Sequence, residues 1–239
     1  MSNKTKNSDM KKLIVLTGAG ISAESGIKTF RDADGLWEGH DVMAVASPQG
    51  WEKDQELVLD FYNQRRRQLK SVSPNLAHIA IAKLEEKYNV TVITQNVDDL
   101  HERAGSTRII HLHGELTKAR SSHRKSTIMD WEGDIVTGDL CPDGYQLRPH
   151  IVWFGEMVPN LEMAIQACEA GEIFIIIGTS MQVYPAASLI SFAPKGSSIY
   201  YIDPKPNISH ELSSLPNLSV FKQKATEGVV TLVNDLMNR

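Results

Sequence analysis

The feature that most constrains this chain is residues 14–31, IVLTGAGISAESGIKTFR. It begins within an apolar run, residues 13–16, suited to a strand buried on both faces. The run passes at once into Thr17-Gly18-Ala19-Gly20-Ile21-Ser22-Ala23. Glycines at 18 and 20 permit a tight turn and let the backbone approach a ligand closely. A helix is expected after the turn, with its first N–H groups and its dipole favouring an anion. With Ala23 in the third position, the run matches the dinucleotide fingerprint G-x-G-x-x-G/A directly after a strand. Such a turn can also serve chain reversal alone, and the residues after it narrow the choice. An ordinary dehydrogenase would continue into a second strand ending in Asp or Glu about twenty residues on. Residues 28–40, KTFRDADGLWEGH, are instead polar and rich in Gly and Asp. A loop carrying Phe30, Arg31 and Trp37 replaces the strand, which argues against simple hydride transfer and for a loop that closes over a ligand.

The 239 residues suffice for one large α/β domain with small insertions. A net charge of −4 gives no general reason to expect a nucleic-acid partner, and Arg65-Arg66-Arg67 on a helix reads as a solvated face. The first residues, MSNKTKNSDMKK, lack the apolar core of a signal peptide, and no apolar run is long enough to span a bilayer. Two cysteines, Cys141 and Cys168, cannot form a disulfide framework. A cytoplasmic protein with no membrane partner is expected.

Along the chain, residues 1–9 read as a flexible lead-in. Residues 48–70 read as one helix with an apolar stripe of Leu57, Val58, Phe61 and Leu69, on which Tyr62 and Arg65 share a face. A second helix runs from Ser73-Pro74 to residue 88, with Ser73 as N-cap. Strands are expected at 90–93, 108–112, 172–177 and 198–202, and helices at 99–104, 161–170, 186–192 and 226–237. Residues 117–148 lose all periodicity and read as a loop-rich module. Strands alternating with helices indicate a doubly wound parallel α/β sheet.

Gly18-Ala19-Gly20, Gln95-Asn96-Val97-Asp98, His113-Gly114 and Gly178-Thr179-Ser180 all lie just after expected strands, so they converge on one sheet edge, where ligands bind in open parallel sheets. His113, followed by an uncrowding glycine, suits general-base work near neutral pH, or only a hydrogen bond at a strand end. His111 reads as structural, pointing to a neighbouring layer. Asp98 or Asp99 can cap the next helix. Gln95 and Asn96 have no such need, and amides suit ribose hydroxyls or a positioned water.

The stretches GAGISAESGIKTFR, TQNVDDLHERAG, HLHGEL, RPHIVWFGE and GTSMQVYPAA together resemble the motif set of the sirtuins, NAD-dependent protein-lysine deacylases, in family order from about residue 12 onward. The resemblance implies a Rossmann-like large domain, about 10–34, 74–116 and 149–239, and a smaller domain from two insertions, about 35–73 and 117–148. It implies NAD consumed as co-substrate, with the acyl-lysine of a protein or peptide as the other partner. In the family the acyl oxygen attacks the ribose carbon bearing nicotinamide, and the products are nicotinamide, O-acyl-ADP-ribose and free lysine. By the same match His113 is the base, Asn96 and Asp98 complete the catalytic set, and Gly18, Ala19, Gly20, Ile21, Ala23, Phe30, Arg31, Gln95, Asn96, Asp98, Gly178, Thr179, Ser180, Asp203 and Ala225 contact NAD. Asp203 stands where the family often has Asn. Phe30 and Ile21 would form a dry pocket around the reacting ribose. Val152, Phe154, Gly155 and Glu156 would line the peptide cleft.

Tyr62 and Arg65 resemble the Tyr-x-x-Arg pair of class III-like sirtuins acting on succinyl- or malonyl-lysine, and Ala33 the position that widens the acyl pocket. A dicarboxylic acyl group ends in a carboxylate, which in a pocket needs a guanidinium and a phenolic donor. Deacetylation is expected as well. The chain departs from the family at zinc: only Cys141 lies in the module where two Cys-x-x-Cys pairs are usual, with Ser121 and Ser122 at the first pair. Zinc is therefore not expected, and packing around Trp131, Ile135 and Leu140 would hold the module instead. An ADP-ribosyltransferase using the same site and a non-catalytic NAD sensor are the alternative readings.

Overall fold

The computed structural model describes residues 10–28, 36, 37, 39–124 and 126–239. Strand β1 (Lys12–Thr17) leads into two single 3₁₀ turns, Ala19–Ile21 and Ala23–Ser25, and a short hairpin, β2 (Leu36–Trp37) and β3 (His40–Asp41). Helices α1 (Val42–Val45), α2 (Pro48–Lys53), α3 (Gln55–Ser71) and α4 (Leu76–Lys83) follow, then β4 (Asn89–Thr94), α5 (Leu100–Arg103) and β5 (Ile109–His111). Three antiparallel strands, β6 (Gly114–Ser121), β7 (Ile128–Asp130) and β8 (Leu147–Ile151), precede α6 (Leu161–Glu169) and β9 (Ile173–Ile177). A 3₁₀ helix (Ala186–Phe192), β10 (Ser198–Ile202), α7 (His210–Ser213), β11 (Leu218–Phe221) and α8 (Ala225–Asn238) complete the chain.

The main sheet is parallel in the order β11-β10-β9-β1-β4-β5. Its strands are apolar on both faces because both are covered. Leu13 and Val15 pack with Ala77, Ile81, Val229 and Leu232 of α4 and α8, while Ile14 and Leu16 pack with Ala164 and Cys168 of α6 and with Leu189. From β1 the chain builds outward first through β4 and β5 and later through β9, β10 and β11. The order therefore reverses at β1, which is where a crevice opens at the carboxyl edge of such sheets.

A third core joins α3 to the small antiparallel sheet: Val58, Phe61, Tyr62 and Leu69 pack with Leu116, Ala119, Ile135, Cys141, Leu147 and Trp153. Polar ties reinforce it. Buried Arg66 donates from Nε to Leu116 O at 2.8 Å and from Nη1 to Asn63 Oδ1 at 2.7 Å. Asn63 in turn pairs with the backbone N–H and carbonyl of Ile135.

Several sequence expectations are corrected. Residues 117–148 carry most of a three-stranded sheet, in which β6 and β8 are largely buried on both faces and β7 has only three residues, so no alternation marks it. Leu140 is 57% exposed and holds nothing together, whereas Cys141 and Leu147 join Ile135 in the core. The helix over 48–70 is broken at Asp54, whose carboxylate caps α3 by accepting from Leu57 N. Asn75, not Ser73, caps α4: its Oδ1 accepts from Ala77 N, and its Nδ2 donates to Ile21 O at 2.8 Å, which ties the helix to the glycine loop. The helix expected after Gly20 is replaced by the two 3₁₀ turns, so the glycine turn does not open an α-helix.

Candidate active site

The glycine loop is shaped by a neighbouring backbone. Gly18 N donates to Ile177 O at 3.1 Å and Gly20 N to Gly178 O at 2.8 Å. A Cβ at Gly20 would stand 2.6 Å from Gly178 Cα, closer than real carbons approach. Gly178, at φ +59°, would likewise press a Cβ into Ile21 N. The loops after β1 and β9 therefore meet through bare backbone, leaving a floor of small residues at the switch point.

Around this floor the polar residues interlock. Gln95 Nε2 donates to Thr179 Oγ1 at 3.0 Å, linking the ends of β4 and β9. Ser22 Oγ accepts from Asn96 Nδ2 at 3.1 Å and donates to Asp98 Oδ2 at 3.0 Å, linking β1 to the same loop. Asp98 Oδ1 accepts from Leu100 N, so Asp98 and not Asp99 supplies the side-chain bond at the start of α5. Burial raises the Asp98 carboxyl to about 6, against the opposing pull of those two hydrogen bonds. Beneath this layer Thr17 Oγ1 donates to Thr94 Oγ1 and contacts His101 Nε2 at 3.1 Å. His78 caps α4 with Asn75 and sits 3.5 Å from Ser22 Oγ. Thr17, Ser22, His78 and His101 escape a reading of motifs one at a time. The signals for them in the sequence are that Thr17 and Ser22 lie in the glycine run and His101 in the TQNVDDLHERAG stretch.

His113 sits at this rim. Its Nδ1 lies 3.0 Å from Gln95 O. A carbonyl oxygen can only accept, so Nδ1 carries the proton and Nε2 presents a lone pair. Burial holds the ring's pKa below its ordinary value, with the Gln95 carbonyl pulling the other way, which keeps it neutral and able to take a proton. Gly114, at φ +85°, would drive a Cβ into the His150 carbonyl, so the turn directly after His113 requires glycine. His111 reaches the neighbouring helix α5 through Nε2, 2.6 Å from Glu102 Oε1, and its Nδ1 lies 3.4 Å from Asn96 O, on the loop that His113 also holds.

The remaining expectations divide. Ile21 is fully buried in the core cluster of Ala77 and Ile81, so its side chain packs the loop and lines no pocket. Ala23 is exposed, and neighbouring Glu24 accepts from Thr226 N and Oγ1, joining the loop to the start of α8 at buried Ala225. Asp203 is buried after β10, where Oδ1 accepts from Lys205 N. Phe30, Arg31 and Ala33 lie outside the described residues.

Past β8, Val152 N donates to His113 O at 2.8 Å, and Phe154 and Gly155 lie exposed beyond it. Exposed Met157 extends this ledge, which the motifs do not reveal. Glu156 does not line a cleft. Its carboxylate is held by Arg120 Nη2 at 2.8 Å, Arg148 Nη1 at 3.0 Å and Trp153 N at 2.9 Å. Burial would raise this carboxyl, but the bonds from Arg148, Trp153 and Arg120 outweigh it and hold the pKa below its usual value. Removing one member of such a buried cluster costs about 3–5 kcal/mol, so Glu156 is structural here.

Tyr62 is fully buried, and Trp153 Nε1 donates to its Oη at 3.1 Å. The indole can only donate, so the phenol keeps its own O–H proton for another acceptor. Burial raises the Tyr62 pKa, with nearby Arg148 and Arg65 opposing. The guanidinium of half-buried Arg65 lies 4.7 Å from the Phe61 ring centroid, and Trp37 stands edge-on to Tyr62 at 6.0 Å. Consecutive residues thus reach both groups: Val152 is bonded to His113 and Trp153 to Tyr62. Among the described residues no cluster of three or more His, Cys, Asp or Glu side chains is placed to hold a metal ion. No described helix is long and apolar enough to cross a membrane.

Residues 18–185 match the model of the Sir2 family. The chain is 59% identical to an NAD-dependent protein deacylase of Helicobacter pylori, over 95% of this chain and 96% of that one. To the NAD-dependent protein deacylase of Bacteroides thetaiotaomicron it is 54% identical, over 93% and 97%. Among solved structures it resembles a Sir2 homologue bound to NAD, at TM-score 0.84 and 40% identity, covering 96% of this chain and 91% of the other. It also resembles a Sir2 protein bound to an acetylated peptide, at TM-score 0.79 and 28% identity, covering 97% and 95%.

Proposed function

The chain belongs to the Sir2 family and is an NAD-dependent protein deacylase, and from that premise we propose that it releases succinyl and malonyl groups, and acetyl groups too, from protein lysines. The observation that carries the acyl preference is the Trp153–Tyr62 bond beside the Val152–His113 bond. It sets a phenolic donor, with Arg65 on the same helix, one residue away from the segment bonded to the base. An acyl chain reaching past His113 would end near a hydroxyl proton and a guanidinium, the pair a terminal carboxylate requires.

The residues present fit NAD. The floor of Gly18, Ala19, Gly20, Gly178, Thr179 and Ser180 is built of small residues, and Gly18, Gly20 and Gly178 meet so closely that no larger residue could stand there; an extended ligand would lie across this floor. Gln95, Asn96 and Asp98 supply amide and carboxylate groups for hydroxyls, and Asp203 and Ala225 would border the adenosine end. Phe30 and Arg31, outside the described residues, would add further contacts to NAD. Bound NAD supplies a ribose carbon whose nicotinamide can be displaced, and it is consumed. His113 moves a proton at Nε2 while Gln95 O fixes its tautomer. Asn96 and Asp98 are held in place through Ser22. Val152, Phe154 and Gly155 would bind the peptide backbone, with Ala33 leaving width for the acyl group.

We read the parallel sheet with its helices as the large domain, and α1–α3 with the antiparallel sheet as the small one, held by its core, Arg66 and the Glu156 cluster in place of zinc. The compartment we take as the cytoplasm, a reading supported by two buried free thiols, Cys141 and Cys168. Rates on succinyl, malonyl and acetyl forms of one peptide test the preference. All three should be consumed in the presence of NAD, the dicarboxylic forms at the higher kcat/KM. Activity on the acetyl form alone would sink the proposed preference.

A further inference from the structure

We infer that His111 is a positioning residue of the NAD-binding edge, holding the Asn96 carbonyl as a doubly protonated imidazolium, with Glu102 as the anion that keeps it so. The inference rests on the proposed placement of NAD against Gln95, Asn96 and Asp98, and deepens it.

His111 ends β5 and is buried. Its Nε2 stands 2.6 Å from Glu102 Oε1 on α5, and its Nδ1 stands 3.4 Å from Asn96 O. A carboxylate and a carbonyl both only accept, and a neutral imidazole has a single N–H. Only the imidazolium satisfies both. Two residues on, His113 holds Gln95 O in the same way. Consecutive carbonyls of one loop are therefore held by two histidines leaving one strand end, and they differ in charge. His113 has Nε2 open and stays neutral, whereas His111 has a carboxylate there. The loop so held carries Asn96 and Asp98, whose side chains meet on Ser22, so releasing the Asn96 carbonyl loosens the whole set.

The other groups facing His111 agree in sign with this or are neutral. Glu115 on β6 and buried Asp98 on the loop favour the charge, and His101 on α5 is kept uncharged by its own burial. Burial of His111 works against its charge, but the hydrogen bond and charge of Glu102, with Glu115 and the Asn96 carbonyl, outweigh it and hold the pKa above its ordinary value. As pH rises through that pKa, Glu102 retains the Nε2 proton and Nδ1 turns a lone pair on Asn96 O. Two acceptors then face each other and the loop is released.

The test is the pH dependence of kcat and of the KM for NAD, measured on the full chain with an acetylated peptide. In the wild type the KM should rise roughly fivefold on the alkaline side, about the worth of one hydrogen bond, with kcat little changed. In Glu102→Gln the new amide can donate to Nε2, so a neutral ring still gives its Nδ1 proton to Asn96 and the alkaline rise should vanish. A wild type without the rise, or a variant that keeps it, overturns the inference. So does an NMR titration, with His111 assigned from the His111→Asn spectrum, that finds the ring singly protonated at neutral pH. Asn96→Ala distinguishes failure of the NAD placement from failure of the His111 role. If it binds NAD as tightly as the wild type, the placement of NAD fails. If it loses NAD while Glu102→Gln follows the wild-type profile, only the role of His111 fails.

Discussion

Replacing His113 with asparagine is expected to lower deacylation by about 10²–10⁴-fold, the ordinary worth of a positioned general base, while leaving the fold intact. The substitution isolates the chemistry from the architecture. In the native chain His113 does two things: Nδ1 donates to Gln95 O, and Nε2 offers a lone pair. An asparagine amide can continue the first and cannot perform the second. Thermal melting and NAD binding should therefore stay near wild type as turnover collapses on every acyl form. The pH profile carries the same signature. Burial holds the ring's pKa below its ordinary value, so on the acid side kcat should hold until pH drops through that lowered pKa and protonates Nε2. Turnover close to wild type in a folded His113→Asn protein would remove His113 from the chemistry.

Arg65→Met is expected to reduce desuccinylation and demalonylation roughly ten- to hundredfold, the range of one hydrogen bond to a charged group, with little change in deacetylation. Methionine keeps most of the apolar stem and deletes the guanidinium, and with it the contact over the Phe61 ring. The acetyl group has no carboxylate to miss it. Tyr62, fixed by Trp153, would retain its hydroxyl, so the residual selectivity should reflect the phenol alone. The readout is kcat/KM for succinyl and acetyl forms of one peptide. Equal losses on the two would show that Arg65 supports the helix or the fold and reads no carboxylate.

Much of this architecture is legible in the chain because the main sheet is buried on both faces. Leu13 to Leu16 and Ile173 to Ile177 are continuous apolar runs, and the polar residues just beyond such runs must fall on one edge. The converging motifs therefore predict the crevice without any knowledge of side-chain contacts. What stays hidden depends on partners distant in sequence. Glu156 sits in a motif beside Val152 and Phe154 and reads as substrate-binding, yet its partner Arg120 is 36 residues away. The glycines at 18 and 20 read as room for a ligand, while the structure adds a second reason, the backbone of Gly178 lying against them. β7 and β11 are short and partly exposed, with no alternation to betray them. Ser22 gains its place only once β1 and β4 are neighbours, bringing Asn96 and Asp98, 74 and 76 residues away, onto one hydroxyl.

The central claim is that this sheet edge uses NAD to strip a dicarboxylic acyl group from lysine, and the masses of the products test it most directly. Incubation of the protein with NAD and a succinyl-lysine peptide should give nicotinamide, free-lysine peptide and succinyl-ADP-ribose in equal amounts, with the mass of the protein unchanged. ADP-ribose mass appearing on protein or peptide while the succinyl group stays on lysine would contradict it.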